Sequence, residues 1–345
     1  MAKSHPLHLA AGAIALAVAG PTALHAQDHT VPPEIVEAAQ AEDGVLQYYF
    51  GRGYEANRPL FDAFVEAYPF VELEVTGGGT LSLVEKVLSE NAADQPIAEI
   101  IQGGPAEELI LSGADLTMTY RPEGEARAPE NMRFDGNYVV SDYFTFHVAY
   151  NPTMLDEDEL PTSLEDLAEE EWRGRFGIDV NQVDWFAGVL AYYGEEEGLE
   201  LMQRLADNDP VIFAGAQGYE LSAAGGLPII ANTFSGQLLR YIDGGAPIEV
   251  AKTDYVIAQP DMYIGIDSSD SPNTVKLFFE FLFTDAAQAV FSELYKNPVV
   301  PGAPLSPLLE DALADDVEIF FVTSENWGDV DTRIQQFQDL FVEAQ

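Results

Sequence analysis

The chain has 345 residues, 47% of them hydrophobic, and sets 59 Asp and Glu against 15 Lys and Arg for a net charge of −44. It has no cysteine, which excludes disulfides, thiolate metal sites and a lipid tether on that residue. Scarce cations exclude nucleic acid as a partner, and the apolar fraction argues against a disordered acidic chain. Runs such as Asp156–Glu159, Glu169–Glu171 and Glu195–Glu197 read as solvated faces. They suit a protein adapted to high salt, where a Debye length of about 3 Å at about 1 M screens self-repulsion.

Residues 1–26 read as an export signal: Lys3, the apolar run Leu9–Ala19, a break at Gly20-Pro21, and cleavage after Ala26. The run falls short of the roughly 20 residues a bilayer span needs, so the mature chain is expected to be periplasmic or secreted, without membrane insertion. Residues 27–44 form a polar lead-in with room for a short helix. Val45–Phe50 then reads as a buried strand stopped by Gly51-Arg52-Gly53. Leu60, Phe61, Phe64, Val65 and Tyr68 share one helical face, ended by Pro69.

Val71–Val75 alternates as a second strand before Gly77-Gly78-Gly79. The next helix is expected to open on a capping box, Ser82 with Glu85, and to bury Leu81, Val84, Val87 and Leu88. Ile97–Ile101 is a third strand, and Gly103-Gly104-Pro105 leads into another helix. Three strand–glycine–helix units in succession predict a mostly parallel sheet flanked by helices. Phe146–Tyr150, Gly174–Val180 and Pro228–Ala231 repeat the strand pattern, with helices over Leu164–Trp172 and around Leu199–Leu205. Gly244–Ile248 turns into a further strand, and helical stripes follow at Val275–Leu282 and Ala286–Leu294. At this length two α/β lobes fit better than one.

Several of these segments carry a resemblance. Gly51-Arg52-Gly53, Phe61–Pro69 and Val148–Pro152 occur in order, followed by Leu160–Leu167 with Trp172–Gly177, and then Phe278–Gln288. In these the chain resembles the type II periplasmic solute-binding proteins of ABC importers, from about Val45 to Phe341. It is most similar to the branch labelled iron(III) importers, itself similar to carriers of phosphonates and organophosphates. The resemblance implies a two-lobed α/β fold with two crossovers: lobe 1 over residues 45–145 and 260–345, lobe 2 over 146–259. The hinges would lie near Ser141–Phe146 and Tyr255–Gln259. It implies a monomer that closes on a small solute and hands it to a membrane permease, with no cofactor.

Ligands of open parallel sheets sit beyond the carboxyl ends of strands. That rule selects Gly78, Gly79 and Thr80, whose backbone N–H groups could hold an anion at a helix start, although a capped turn reads equally well from these residues alone. It also selects Arg52 with Gly53, suited to bidentate contact with a carboxylate or phosphate where the plainer reading is a surface arginine. Tyr54, Glu55 and Gly104 are further loop candidates. From the second lobe come Asp179 as a cation partner, Asn181, Trp185 (more often core than platform), Gln217, Thr233 and Ser235. Asp142 and Tyr143 stand at the first crossover. An anionic solute would use Arg52 and the triple glycine; a cationic solute or metal complex would use Asp179, Asp142 and Glu55.

The resemblance implies, for iron-binding members, two adjacent tyrosines after the Ile229–Ala231 strand; Asn232-Thr233-Phe234-Ser235 stands there instead. Direct Fe(III) ligation by that pattern is therefore not expected, and no metal site is assigned. The rival class is a secreted hydrolase. The chain has no cysteine nucleophile, no Gly-x-Ser-x-Gly elbow, no His-Glu-x-x-His motif, and His147 as the sole histidine of the folded part. A carrier, not an enzyme, is expected; a third reading is a clamp that presents its ligand to a sensor.

Overall fold

The hydrophobic runs become strands and the 3.6-period stripes become helices, in a computed structural model that describes residues 29–51, 54–134, 136–314 and 317–343. Residues 1–26, where an export signal is expected, lie outside them. Helix α1 (Pro33–Gln40) precedes three strand–helix units: β1 (Val45–Phe50) with α2 (Tyr54–Ala67), β2 (Glu72–Gly77) with α3 (Thr80–Ala92), and β3 (Ile100–Gly103) with α4 (Pro105–Gly113). The long strand β4 (Val139–Tyr150) leads to the short α5 (Leu164–Leu167). Then come β5 (Phe176–Asp179), α6 (Val183–Tyr193), α7 (Glu195–Asp207), β6 (Val211–Phe213), α8 (Ala216–Ala223), β7 (Ile229–Phe234) and α9 (Ser235–Asp243). After β8 (Glu249–Val250) a second long strand, β9 (Tyr255–Gly265), precedes α10 (Pro272–Phe281) and α11 (Asp285–Glu293). The chain finishes with β10 (Asn297–Pro298), α12 (Pro307–Ala314), β11 (Glu318–Phe321) and α13 (Val330–Phe341).

The strands run in the order β2-β1-β3-β9-β4-β7-β5-β6. At one end β1 lies parallel between β2 and β3; at the other β5 lies parallel between β7 and β6. The two long strands join these halves. They run antiparallel to each other from Val139 opposite Tyr263 to Phe146 opposite Ile257, with a bulge between Val140 and Asp142. Both are buried along their whole length, so the crossovers are continuous β-structure, not loops.

Each half has its own core. The first packs Tyr48 edge-on against Phe61 and Phe278, with Phe64 and Tyr263 beside them. The second gathers Trp172, Phe176, Trp185, Phe186 and Trp327. The C-terminal segment departs from the division expected from sequence, which places all of 260–345 in lobe 1. Instead β11 pairs in parallel with β9 at Tyr255–Ala258, and Val322, Phe337 and Phe341 join the second core. The reason is local. Phe337 and Phe341, four apart on one face of α13, pack on each other, and Phe337 meets Phe186 on α6 with ring centroids 5.3 Å apart. Arg333 on the same helix pairs with Glu195 on α7 through two bonds of 2.6 and 2.8 Å.

The lead-in is also docked. The Glu42 carboxylate accepts from the backbone N–H of Asn273 and Thr274 and so caps α10, and His29 Nε2 lies 2.7 Å from the buried Glu280. The expected Ser82–Glu85 capping box does not open α3. Its N-cap is Gly79, three residues before Ser82, and Leu83, Val84 and Val87 are its buried face.

Candidate functional site

Between the halves lies a cleft of about 890 Å³, within the roughly 300–1,000 Å³ usual for small-molecule sites. The first half lines it with residues just past its strand ends: Gly51 after β1, Thr80, Leu81 and Ser82 at the start of α3, and Glu107 in the first turn of α4. Gly51 is required there, since a Cβ would stand 2.2 Å from Thr80 Oγ1. The second half contributes Val180–Asp184 after β5, Phe234 at the end of β7, and Gln237, Arg240 and Tyr241 on one face of α9. Gln259 of β9 forms the floor, and Ile334, Gln338 and Val342 from the region of α13 make a further wall.

Helices α3, α6 and α9 all begin at this cleft without a side-chain cap, so their first N–H groups and dipoles favour negative charge. Arg240 is the one cationic side chain among the described lining residues. Two carboxylates also face the cleft, and both have partners: Glu107 Oε2 accepts from Gly104 N at 2.8 Å, and Asp184 Oδ1 accepts from Trp327 Nε1 at 2.6 Å. Among the described residues no group of three or more His, Asp or Glu could hold a metal ion. Leu81 and Val342, 43% and 49% exposed, are two of the five exposed large hydrophobic side chains among the described residues. Both line this cleft.

The structure brings some of the residues selected from sequence together here and sends others elsewhere. Gly79, Thr80 and Asn181 line the cleft, Gly78 adjoins it in the chain, and Gly104 packs beneath it against Gln259 and Asp184. Arg52 and Gly53 lie outside the described residues, as does the side chain of Tyr54; Gly51, which precedes Arg52, is at the rim. Asp179 is not open to a cation. It is buried, and its carboxylate accepts from the backbone N–H of Asn181 and Gly215 and from Gln182 Nε2, each at 3.0 Å, so it holds the loop that presents Asn181 and Gln182.

Asp142 is engaged within the fold and does not line the cleft. It is fully buried and opposite Asp261 on β9, and Lys296 Nζ lies 3.1 Å from it and 2.7 Å from Asp261. Tyr263 OH donates to Asp142 at 2.8 Å, while Gln102 donates through Nε2 to Asp261 and accepts through Oε1 from the Tyr48 hydroxyl at 2.7 Å. Burial above all, with the nearby Asp261, pushes Asp142 up to about 7 against the pull of Lys296. Tyr143 packs edge-on against Phe321 at 5.1 Å, and Trp185 belongs to the second core. Thr233 is buried and donates to His147 O, buried Ser235 accepts from Thr145 N, and Gln217 is exposed on α8 away from the cleft. His147 is buried beside Thr145 Oγ1, and burial lowers it to about 4.

The lining residues missed from sequence had faint signals. Gln237, Arg240 and Tyr241 sit at i, i+3 and i+4 on the helix that follows β7, one turn beyond the strand-end positions chosen. Gln259 interrupts the apolar run Val256-Ile257-Ala258. Nothing local marks α13.

Comparison with known proteins agrees with this architecture. Residues 114–326 match the family described as bacterial extracellular solute-binding protein. Over 183 residues the chain is 25% identical to the Fe(3+)-binding periplasmic protein of Serratia marcescens. That match covers 50% of this chain and 51% of the relative, so the chain spans about half the length of the curated protein it matches. Iron-bound HitA from Pseudomonas aeruginosa superimposes with a TM-score of 0.72 at 20% identity, over 86% of this chain and 99% of that one. AfuA from Actinobacillus pleuropneumoniae, with fructose 6-phosphate bound, gives 0.72 at 17% identity over 86% and 98%. At such identities the likeness shows the fold, that of the two-lobed periplasmic binding proteins. With a core in each half, two continuous crossover strands and a cleft between the halves, the chain belongs to the bacterial extracellular solute-binding protein family.

Proposed function

We propose that this protein is the extracytoplasmic solute-binding component of an ABC importer, and that it closes its two lobes on a small anionic solute and delivers it to a permease. The observation that carries the anionic class is the convergence of three uncapped helix starts and Arg240 on one cleft. Organophosphates and phosphonates match those donors. Iron(III) fits this lining as part of an anionic complex rather than as a bare ion, since Asn232-Thr233-Phe234-Ser235 stands where the ligating tyrosine pair would be expected. The hinge is the paired middle of β4 and β9, and the exposed Leu81 and Val342 supply apolar surface that closure removes from water.

The test is a thermal-shift screen in high-salt buffer with phosphonates, sugar phosphates, ferric citrate, carboxylates and polyamines. A true ligand at about 100 times its Kd stabilises by about 2.7 kcal/mol. An anion is expected to raise Tm, and Arg52→Ala and Arg240→Ala to weaken that response while leaving the unliganded Tm in place. A response to polyamines alone would overturn the anionic reading.

A further inference from the structure

Helix α11 ends on a tyrosine where a glycine is usual. Lys296 N bonds to Phe291 O at 2.9 Å and Tyr295 N to Ser292 O at 3.1 Å, the paired closure of a helix whose next residue turns left-handed. Tyr295 is that residue, with φ of 59°. The other described non-glycine residues at positive φ are Asp94, Asp115 and Asp209, and aspartate tolerates the conformation through its short polar side chain. A bulky ring there is strained, and such strain persists where the surroundings hold it in place.

The side chain is held from the other half of the molecule. Helix α11 packs into the first core through Ala287 and Phe291, whereas Tyr295 reaches the apolar cluster that contains Leu238 and Leu239 of α9. Its hydroxyl donates to Asp243 Oδ2 at 2.5 Å, and that carboxylate pushes the hydroxyl pKa up, so the proton stays on the tyrosine. The guanidinium of Arg240 lies 5.8 Å from the centroid of the same ring, within cation–π range.

Arg240 and Asp243 stand three apart on α9, a spacing at which opposite charges meet. Arg58 with Asp62, Lys86 with Glu90, Arg121 with Glu125 and Arg173 with Glu170 make pairs of this kind. Arg240 does not. Among the described residues its guanidinium has neither a hydrogen bond nor an ion pair. Tyr295 engages both members, the carboxylate with its hydroxyl and the guanidinium with its ring, and the cation so kept apart lines the cleft.

We propose that Tyr295 is a positioning residue of the solute site: it draws Asp243 away from Arg240, so that the guanidinium keeps its donors for an incoming anion. This rests on the reading of the cleft as an anion site. It supplies what a strongly acidic chain needs there, a device that stops the nearest carboxylate from neutralising the cleft cation.

The experiment uses methylphosphonate and fructose 6-phosphate as probes on the mature protein, by calorimetry at constant high salt. Tyr295→Phe keeps the ring and releases Asp243, and is expected to weaken the anion that binds by about threefold. Adding Asp243→Asn to Tyr295→Phe is expected to restore the affinity, with a larger gain than Asp243→Asn gives in the wild type. Unchanged affinity in Tyr295→Phe would overturn the proposal. So would a loss that Asp243→Asn does not recover, since a merely structural role is indifferent to that charge. A second readout needs no solute: the NMR signal of Arg240 Nε–Hε, assigned by its disappearance in Arg240→Ala. It is expected to move in Tyr295→Phe and to return towards its wild-type position in the double variant. If neither anion binds the wild type, the anionic reading fails and this signal decides alone. A signal that moves and returns upholds Tyr295 as the residue that separates the two charges, and one that stays in place ends the proposal.

Discussion

Lys296 shows at the scale of single residues how far a side chain's fate is set by partners remote in sequence. It is buried with Asp142 and Asp261, one cation against two carboxylates, where the crossover strands meet β10. Removing it as Lys296→Met would strand both acids without a counter-charge, at a cost of about 3–5 kcal/mol. Asp142 answers to pH in a direction that follows from its environment. Its pKa in the folded protein is raised to about 7, so between about 4 and 7 the folded state binds more protons than the unfolded one, and this group's contribution to stability falls as pH rises. The wild type is therefore expected to gain stability relative to Asp142→Asn as pH is lowered from about 7 towards 4. Urea unfolding of both proteins across that range checks it; a constant difference would mean that Asp142 stays ionised throughout. Buried His147, lowered to about 4 by desolvation, works in the opposite sense and is common to both proteins, so it cancels from the comparison.

Among the elements, α13 does two jobs. Its apolar face closes the second core through Phe337 and Phe341, and the same region lines the cleft through Ile334, Gln338 and Val342. The helix is fastened by Arg333 to Glu195 and by Asp329, whose side chain caps its first turn through Thr332 N at 2.9 Å. Phe341→Ala, at a side chain 1% exposed, is expected to cost about 3–5 kcal/mol in urea unfolding at constant salt. A cost below about 1 kcal/mol would mean that the helix docks loosely and the cleft wall it forms is not fixed.

For the whole molecule the largest electrostatic influence is self-repulsion from a net charge of −44. The Debye length shrinks from about 10 Å at 0.1 M to about 3 Å at 1 M, which screens most pairs of surface carboxylates. Tm is therefore expected to rise steeply with KCl up to about 1 M and more gently beyond, where only the strengthening of apolar burial continues. A flat response over the first part of that range would remove the halophilic reading of the surface. Many described ion pairs are exposed, such as Arg58–Asp62 and Arg204–Glu169, and exposed pairs contribute little individually. Screening, not pairing, is what makes such a surface tolerable.

Much of the architecture was legible in the residues because it rests on short-range rules. Val45–Phe50 is a strand because five of its six positions are apolar or aromatic and it runs into a glycine stop, and Leu60, Phe61 and Phe64 make a helix face by spacing alone. The strand-end rule then led to Gly79, Thr80 and Asn181, which do reach the cleft, because the ends of parallel strands must face one way. The same reasoning could not foresee that Asp142 turns inward to Lys296, that Asp179 braces a loop, or that α13 crosses to the second core. Those outcomes depend on which remote partner meets a polar or apolar side chain once the chain has closed. Periodicity reports that a face is apolar and composition reports that a charge exists. Only the tertiary structure decides what covers the one and what pairs with the other, because burial and pairing are properties of neighbours in space.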